Sequence, residues 1–279
     1  MQRSSIWISG PTRSGKTTHL VEAFRQWVKE IQRQAKSKPL AQQSPSPGAL
    51  ILAANDENRR DLGDRLAIAV RGTYPVSAKT PLGFITEEVL LFWPLLFEQL
   101  HLKAQFPLSL RPETEQELAT QLWRPQLSES DLQEARISEY RFVRQTLDLL
   151  QLAGASGTPI EDISLLLQQG LPETSPPLPD RGKLILQWRQ WCLERGLLSY
   201  GLIYELYWRY LLSNPQYQQH LSRRYCAIFA DDLDDYPAIV KDLADFLLDR
   251  EAFGTFTYNP DGQVRLGLNA DPQIGRAHV

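Results

Sequence analysis

Cysteine is scarce in this 279-residue chain, and the two present, Cys192 and Cys226, have neither metal-ligand nor redox spacing. A disulfide framework is excluded, and the pair reads as buried thiols of a reducing compartment. His19, His101 and His220 stand far apart, without the spacing of a metal site. No stretch approaches the roughly 18 consecutive apolar residues of a membrane-spanning helix. Arg3 is followed by only a short apolar run, so a secretory signal is excluded as well. The expectation is a cytoplasmic protein with no membrane partner. Positive charge is not in excess either: 30 Lys and Arg stand against 33 Asp and Glu, for a net charge of −3. Any contact with nucleic acid must therefore come from a local patch. Hydrophobic residues make up 42% and charged residues 23%, the balance of a globular protein long enough for one large domain or a domain with an insertion.

What the chain does have lies at its start. Gly10-Pro11-Thr12-Arg13-Ser14-Gly15-Lys16-Thr17 fits the phosphate-binding pattern G-x-x-x-x-G-K-[ST]. The apolar run Ser5-Ile6-Trp7-Ile8 precedes it, and an amphipathic helix follows from Lys16 to about Gln34, with Leu20, Phe24, Trp27, Val28 and Ile31 on one face. Strand, glycine loop and helix is the context the motif requires. Glycines at 10 and 15 let the backbone wrap the phosphates, and successive N–H groups at the helix start point at the anion. Lys16 adds a cation at the β/γ-phosphates, and the Thr17 hydroxyl is a ligand for Mg²⁺. The segment Gly10 to Thr18 is thus the expected nucleotide site, with ATP and Mg²⁺ as cofactors.

Along the chain, Lys36 to Gly48 is a Ser, Pro and Gln-rich loop, Ala49–Ala54 a buried strand, and Asn55–Val70 a helix. Tyr74–Lys79 is a candidate strand, and Leu82–Leu100 a helix broken by Pro94. From about His101 to Asn214 helical periodicity takes over, with helices expected at Glu113–Trp123, Asp131–Ala153, Pro159–Gln169, Lys183–Glu194 and Leu202–Leu212 and no convincing strand. Alternation then returns as strand Tyr225–Ala230, helix Pro237–Asp249 and strand Gly254–Tyr258. The expected organisation is 1–100 and 215–273 as two parts of one α/β domain, with 101–214 inserted as a helical subdomain. Residues 274–279 resemble translated sequencing adapter, which would make the chain the N-terminal piece of a longer protein.

A phosphate loop needs a second, acidic element to position Mg²⁺ and the attacking water. Asp231-Asp232-Leu233-Asp234-Asp235 follows the strand Tyr225–Ala230 directly. Ligands of open parallel sheets bind at the carboxyl ends of the strands, which sets Asp231 beside Lys16 and Thr17 if both strands share a sheet. Asp231 is the candidate metal-side carboxylate and Asp232 the candidate for activating water. A solvated acidic turn at a helix start is the other reading of the same residues. The aromatic group Trp188, Trp191, Tyr200, Tyr204, Tyr207, Trp208 and Tyr210 fits base stacking or, at helical spacing, a core face. Arg59, Arg60 and Arg65 fit phosphate contacts or a solvated helix face.

At these residues the chain resembles the UvrD/Rep-like superfamily 1 DNA helicases. Their second motif is an apolar strand ending D-E-x-Q-D. Asp231 and Asp235 match its first and last Asp, while Asp232 stands for the Glu and Asp234 for the Gln. The approach from Arg195 to Tyr225, Asn58-Arg59 after the second strand, and more weakly Thr80 and Phe84 also match family motifs. Asp261-Gly262-Gln263 resembles the third motif, whose Gln senses the γ-phosphate. The resemblance implies an α/β P-loop NTPase fold (RecA-like) with a parallel sheet and a helical insertion that helps hold DNA. It implies catalytic roles for Asp232 and Gln263, metal ligation by Thr17 and Asp231, and as partners single-stranded or partly duplex DNA and, in a recombination complex, a nuclease subunit. The activity it implies is DNA-dependent ATP hydrolysis by the full-length protein, coupled to translocation, with little turnover by this stretch alone.

The departures bear on activity. The family's adenine-reading Gln motif lies upstream of where this chain begins, and Asp232 is one methylene shorter than the family's Glu. A degenerate AddB-like subunit of a recombination nuclease, binding ATP and DNA without unwinding, is the alternative within the family. A P-loop kinase or nucleotide-gated interaction protein is the alternative outside it. The resemblance also places the strand near Gly254–Tyr258 between the phosphate-loop strand and the Asp231 strand, and predicts that Lys16, Thr17, Asp231 and Gln263 converge at one end of one sheet.

Overall fold

The computed structural model describes residues 5–37, 48–170, 178–262 and 270. The chain divides into two compact units, residues 1–84 with 214–279 and residues 85–213. The first boundary falls at 84/85 rather than at the expected 100/101.

The first unit is built on a sheet. Strand β1 (Ile6–Ser9) leads through the glycine loop into α1 (Lys16–Ser37), then β2 (Gly48–Ala53), α2 (Asp56–Val70) and the two-residue strand β3 (Ala78–Lys79). Helix α3 (Pro81–Leu91) carries the chain into the second unit. There, α4 (Trp93–Gln99), β4 (Leu108–Ser109), α5 (Pro112–Trp123), α6 (Glu129–Glu134), α7 (Glu139–Ser156), α8 (Ile163–Gly170), α9 (Arg181–Arg195), β5 (Leu197–Leu198) and α10 (Tyr200–Glu205) follow, α10 running on into a π-helical turn at Leu206–Leu211. The chain returns to the first unit with α11 (Pro215–Arg224), β6 (Tyr225–Asp231), α12 (Ile239–Asp249) and β7 (Phe253–Tyr258).

The five-stranded sheet has the order β1-β7-β6-β2-β3, and every pairing is parallel. The fold is therefore α/β with a parallel central sheet, and β7 lies between β1 and β6, where the resemblance puts it. Strand β6 explains its own sequence: Ala227, Ile228, Phe229 and Ala230 are all fully buried. A strand covered on both faces reads as a continuous apolar run rather than an alternation. Phe229 meets Leu20, Phe24, Trp27 and Val28 of α1 in one cluster, its ring 5.0 Å from Phe24 and 5.7 Å from Trp27, both edge-to-face. Residues 20, 24, 27 and 28 lie on one stripe of α1, as the 3.6-residue period requires.

Helix ends follow local chemistry. The Asn55 side chain accepts hydrogen bonds from the N–H groups of Glu57 and Asn58, at 3.0 and 2.9 Å, and so starts α2. Helix α2 stops at Arg71, which turns left-handed at φ 50°. The helix expected over 82–100 breaks one residue before Trp93, and Pro94 sits in the first turn of α4, where a missing N–H costs nothing.

Two expectations for the second unit need correction. The single helix expected over 131–153 is two, because Arg136 takes a left-handed turn and the Ser138 hydroxyl starts α7 by accepting from the Arg141 N–H at 3.3 Å. The unit also holds strand structure: β4 and β5 pair in parallel, too short for any periodicity to register. Otherwise it is helical around Trp123, Phe142, Leu147, Ile185 and Trp188, all at most 1% exposed. Helices α7 and α10 approach closely at Gly154 and Gly201, where a Cβ on Gly154 would come 2.6 Å from the Gly201 carbonyl oxygen. The aromatic group resolves mainly into this packing, with Trp188, Tyr204 and Tyr207 at most 4% exposed.

Replacing Phe229 by Ala should open a cavity beneath α1 and cost about 3–5 kcal/mol of stability. Urea unfolding followed by tryptophan fluorescence measures this, since Trp27 packs against the deleted ring.

Candidate functional site

A parallel sheet brings the carboxyl ends of its strands to one side, and here register makes the alignment close. Ser9 pairs with Tyr258, Ala53 with Asp231, and Ala230 with Phe256. The residues that follow β1, β2, β6 and β7 therefore rise together at one edge. The Gly10 N–H donates to the Tyr258 carbonyl at 3.3 Å, which ties the start of the glycine loop to the end of β7.

The loop is shaped by its own backbone. Gly15 has φ 91°, a conformation that L-residues rarely adopt, and Arg13 is left-handed at φ 65°. The turn opens directly into α1, whose first turn carries no acidic side chain. The first N–H groups of a helix have no partner within it, and the helix dipole favours an anion there. Lys16 is buried and folds back over the loop, its ammonium donating to the Pro11 carbonyl at 3.1 Å. An ammonium has three N–H donors, so donors remain for a ligand.

Across the sheet, the Thr17 hydroxyl donates to Asp231 Oδ2 at 2.9 Å, joining residues 214 positions apart. Asp231 is 4% exposed, and its other oxygen, Oδ1, accepts from the Thr257 hydroxyl at 2.6 Å. Its backbone carbonyl accepts from the buried Tyr236 hydroxyl at 2.8 Å. Asp232, the next residue, is left-handed (φ 56°, ψ 55°), a conformation more tolerable for Asp than for most residues but still strained. Its N–H donates to Thr257 Oγ1 at 2.8 Å, and its Oδ2 accepts from the Asn58 side-chain amide at 3.3 Å. Burial pushes the Asp232 carboxyl up to about 6, with the neighbouring Asp231 charge adding to the rise and Lys16 opposing it. Asp234 is buried and accepts from the Asn259 N–H at 2.8 Å. Gly262 lies against that carboxylate so closely that any Cβ would collide with Asp234 Oδ2.

These elements enclose a cavity of about 410 Å³. Thr12 through Thr18 line it on the loop side, Asp232, Asp234 and Asp235 on the β6 side, and Asn259 and Gly262 on the β7 side. Gly10 and Pro11 stand outside the lining and shape the loop. Asp231 stands behind Thr17. Gln263 lies outside the described residues. Arg65 of α2 also reaches the rim, donating to the Thr18 hydroxyl at 2.9 Å while pairing with Asp61 at 3.4 Å. Arg59 instead pairs with Asp56 on its own helix. Thr257, Asn259 and Gly262 escape sequence reading as site residues. The available cue is a hydroxyl one place before the end of β7.

Neither a family model nor a curated protein sequence matches this chain, so what the site can do follows from its own chemistry. Among the described residues no helix is long and apolar enough to cross a membrane. The loop offers N–H groups, hydroxyls and an ammonium to an anion. Opposite it stands a wall of carboxylates that would repel that anion unless a cation lay between. Thr17 Oγ1 and Asp231 Oδ2 are hard oxygen donors of the kind Mg²⁺ takes, and Mg²⁺ commonly completes its shell from substrate phosphates and water. The residues present therefore fit that ion.

The raised Asp232 carboxyl carries a pH signature. A group whose value rises on folding from 3.8 to about 6 contributes stability that is present at acid pH and lost as pH climbs through 6. Asp232→Asn removes the charge that causes the loss. The variant should be more stable than wild type at about pH 7.5, with the gain shrinking towards about pH 4.5. Urea midpoints across that range measure the trend, and a gain independent of pH would contradict it.

Proposed function

We propose that the first unit is a P-loop (RecA-like) NTPase domain that binds Mg·ATP, and that the protein is an ATP-dependent DNA helicase or recombination and repair helicase-like protein of the superfamily 1 kind. The observation that carries the nucleotide reading is the 2.9 Å hydrogen bond from Thr17 to Asp231, which joins the loop to the acidic strand end over one cavity. The strand order, with β7 between β1 and β6, supports the family reading. The same reading includes a cytoplasmic location and a single-stranded or partly duplex DNA partner.

In this reading the N–H groups from Thr12 to Thr18 cradle the phosphates, and Lys16 exchanges the Pro11 carbonyl for a phosphate oxygen. Thr17 and Asp231 hold Mg²⁺, which when bound neutralises charge on the phosphate oxygens. Asp232 lines the cavity and is the group placed to take a proton from an attacking water. A carboxyl that titrates near 6 is mainly ionised at neutral pH and close to it in basicity, as general-base work requires. The Asn58 amide orients its Oδ2. The short Asp side chain at this position is the observation that favours the AddB-like alternative, in which the nucleotide is held but turned over little, because a misplaced base costs large factors in rate.

Titration of a fluorescent ATP analogue tests the binding. Lys16→Ala should weaken it by at least about tenfold, the loss of one charge-assisted hydrogen bond. Asp232→Asn should leave it nearly unchanged. Equal affinity of wild type and Lys16→Ala would remove the phosphate site. In the full-length protein, ATP turnover stimulated by single-stranded DNA, and lost in Asp232→Asn, would separate the helicase reading from the AddB-like one.

A further inference from the structure

Thr257 touches both acidic residues at the end of β6. It is fully buried on β7, and the register pairing Ala230 with Phe256 brings it alongside Asp231. A hydroxyl has one hydrogen to give and lone pairs to receive. The Asp232 N–H can only donate, so Thr257 Oγ1 must accept that bond at 2.8 Å and give its hydrogen to Asp231 Oδ1 at 2.6 Å. The direction of the hydrogen is therefore forced.

We propose that Thr257 is a positioning residue that decides which oxygen of Asp231 meets a metal–nucleotide and holds Asp232 in its left-handed turn. The inference rests on the nucleotide reading above. With Oδ1 held by Thr257 and the Asp231 carbonyl held by Tyr236, the carboxylate cannot swing, and Oδ2 is the oxygen on the Thr17 side. The second bond fixes the Asp232 backbone at φ 56°, from which its side chain reaches Asn58 and the cavity. One hydroxyl thus sets both the metal-side carboxylate and the candidate base. Thr255 is the internal comparison. It lies two residues earlier on the same strand and is equally buried, yet its hydroxyl has no hydrogen-bond partner among the described residues.

Valine keeps the shape of threonine and removes both bonds. The test measures affinity for a fluorescent ATP analogue, with Mg²⁺ and with EDTA, in wild type, Thr257→Val, Thr257→Ser and Thr255→Val. Partners that orient a metal ligand typically contribute about tenfold or more to metal affinity. Thr257→Val should keep its affinity in EDTA and lose about tenfold of the tightening by Mg²⁺. Thr257→Ser and Thr255→Val should behave as wild type. Hydrogen exchange gives a readout without nucleotide: the Asp232 amide should exchange faster in Thr257→Val and stay protected in Thr257→Ser. If Thr257→Val does not fold, Thr257→Ala replaces it, since it also lacks the hydroxyl. Full Mg²⁺ tightening in the variant without the hydroxyl, or an Asp232 amide as protected as in wild type, overturns the proposal while leaving the nucleotide reading in place. Nucleotide binding that is equal in wild type and Lys16→Ala removes both.

Discussion

Everything at the candidate site depends on strands ending together. A parallel sheet stacks its carboxyl ends on one side, and the register here brings Ser9, Ala53, Asp231 and Tyr258 to the same edge. The Thr17–Asp231 hydrogen bond follows from that alignment. Slipping β6 by one residue would turn Asp231 to the other face, because side chains alternate along a strand. The buried faces of β6 prevent the slip: Phe229 is locked among Phe24, Trp27 and Tyr74, and Ile228 and Ala230 are covered on the opposite side. The apolar core therefore fixes the position of the polar site.

The site departs from the rules the rest of the unit obeys. It buries Lys16, Asp231, Asp234 and Thr257 and holds Asp232 in a strained turn. Buried polar groups are costly unless each finds a partner, and here they partner one another: lysine with a loop carbonyl, Asp231 with two hydroxyls, Asp234 with the Asn259 N–H. Asp234 and Gly262 couple the two strand ends a second time. The carboxylate binds the turn after β7, and the turn can approach only because residue 262 has no side chain. Such an arrangement resists rearrangement, as electrostatic preorganisation requires.

The helical unit solves a different problem. Its core is aromatic and aliphatic, with Trp123 and Trp188 edge-to-face at 6.2 Å, and the contact of α7 with α10 uses glycines on both sides. It also buries a charge: Glu205, fully inaccessible, is gripped by Arg189 at 2.8 and 2.9 Å, and Arg209 of the π-helical turn stands 3.5 Å away. Removing one partner of such a pair leaves an uncompensated buried charge, so the pair constrains how α9 and α10 pack.

Local signals in the sequence determined a good deal. The glycine loop is legible because its residues must be those types wherever the chain goes: Gly15 needs its positive φ, and Lys16 and Thr17 need their side-chain chemistry. The amphipathic stripe of α1, the apolar run of β6 and the helix start at Asn55 are likewise fixed within a few residues of chain. The acidic run Asp231–Asp235 was readable as a candidate, but its division of labour was not. Tertiary structure decided that Asp231 would be held by hydroxyls from the start of α1 and from β7, that Asp232 would face Asn58, and that Asp234 would turn inward to fasten the end of β7. It also decided that the Thr257 hydroxyl would meet Asp231 and Asp232 while that of Thr255 meets no partner among the described residues, although the two have the same side chain on the same strand. Pattern along a chain reports which face a residue takes. The neighbour that waits there belongs to another segment, 26 residues away for Thr257 and 214 for Thr17, and only the folded sheet brings them together.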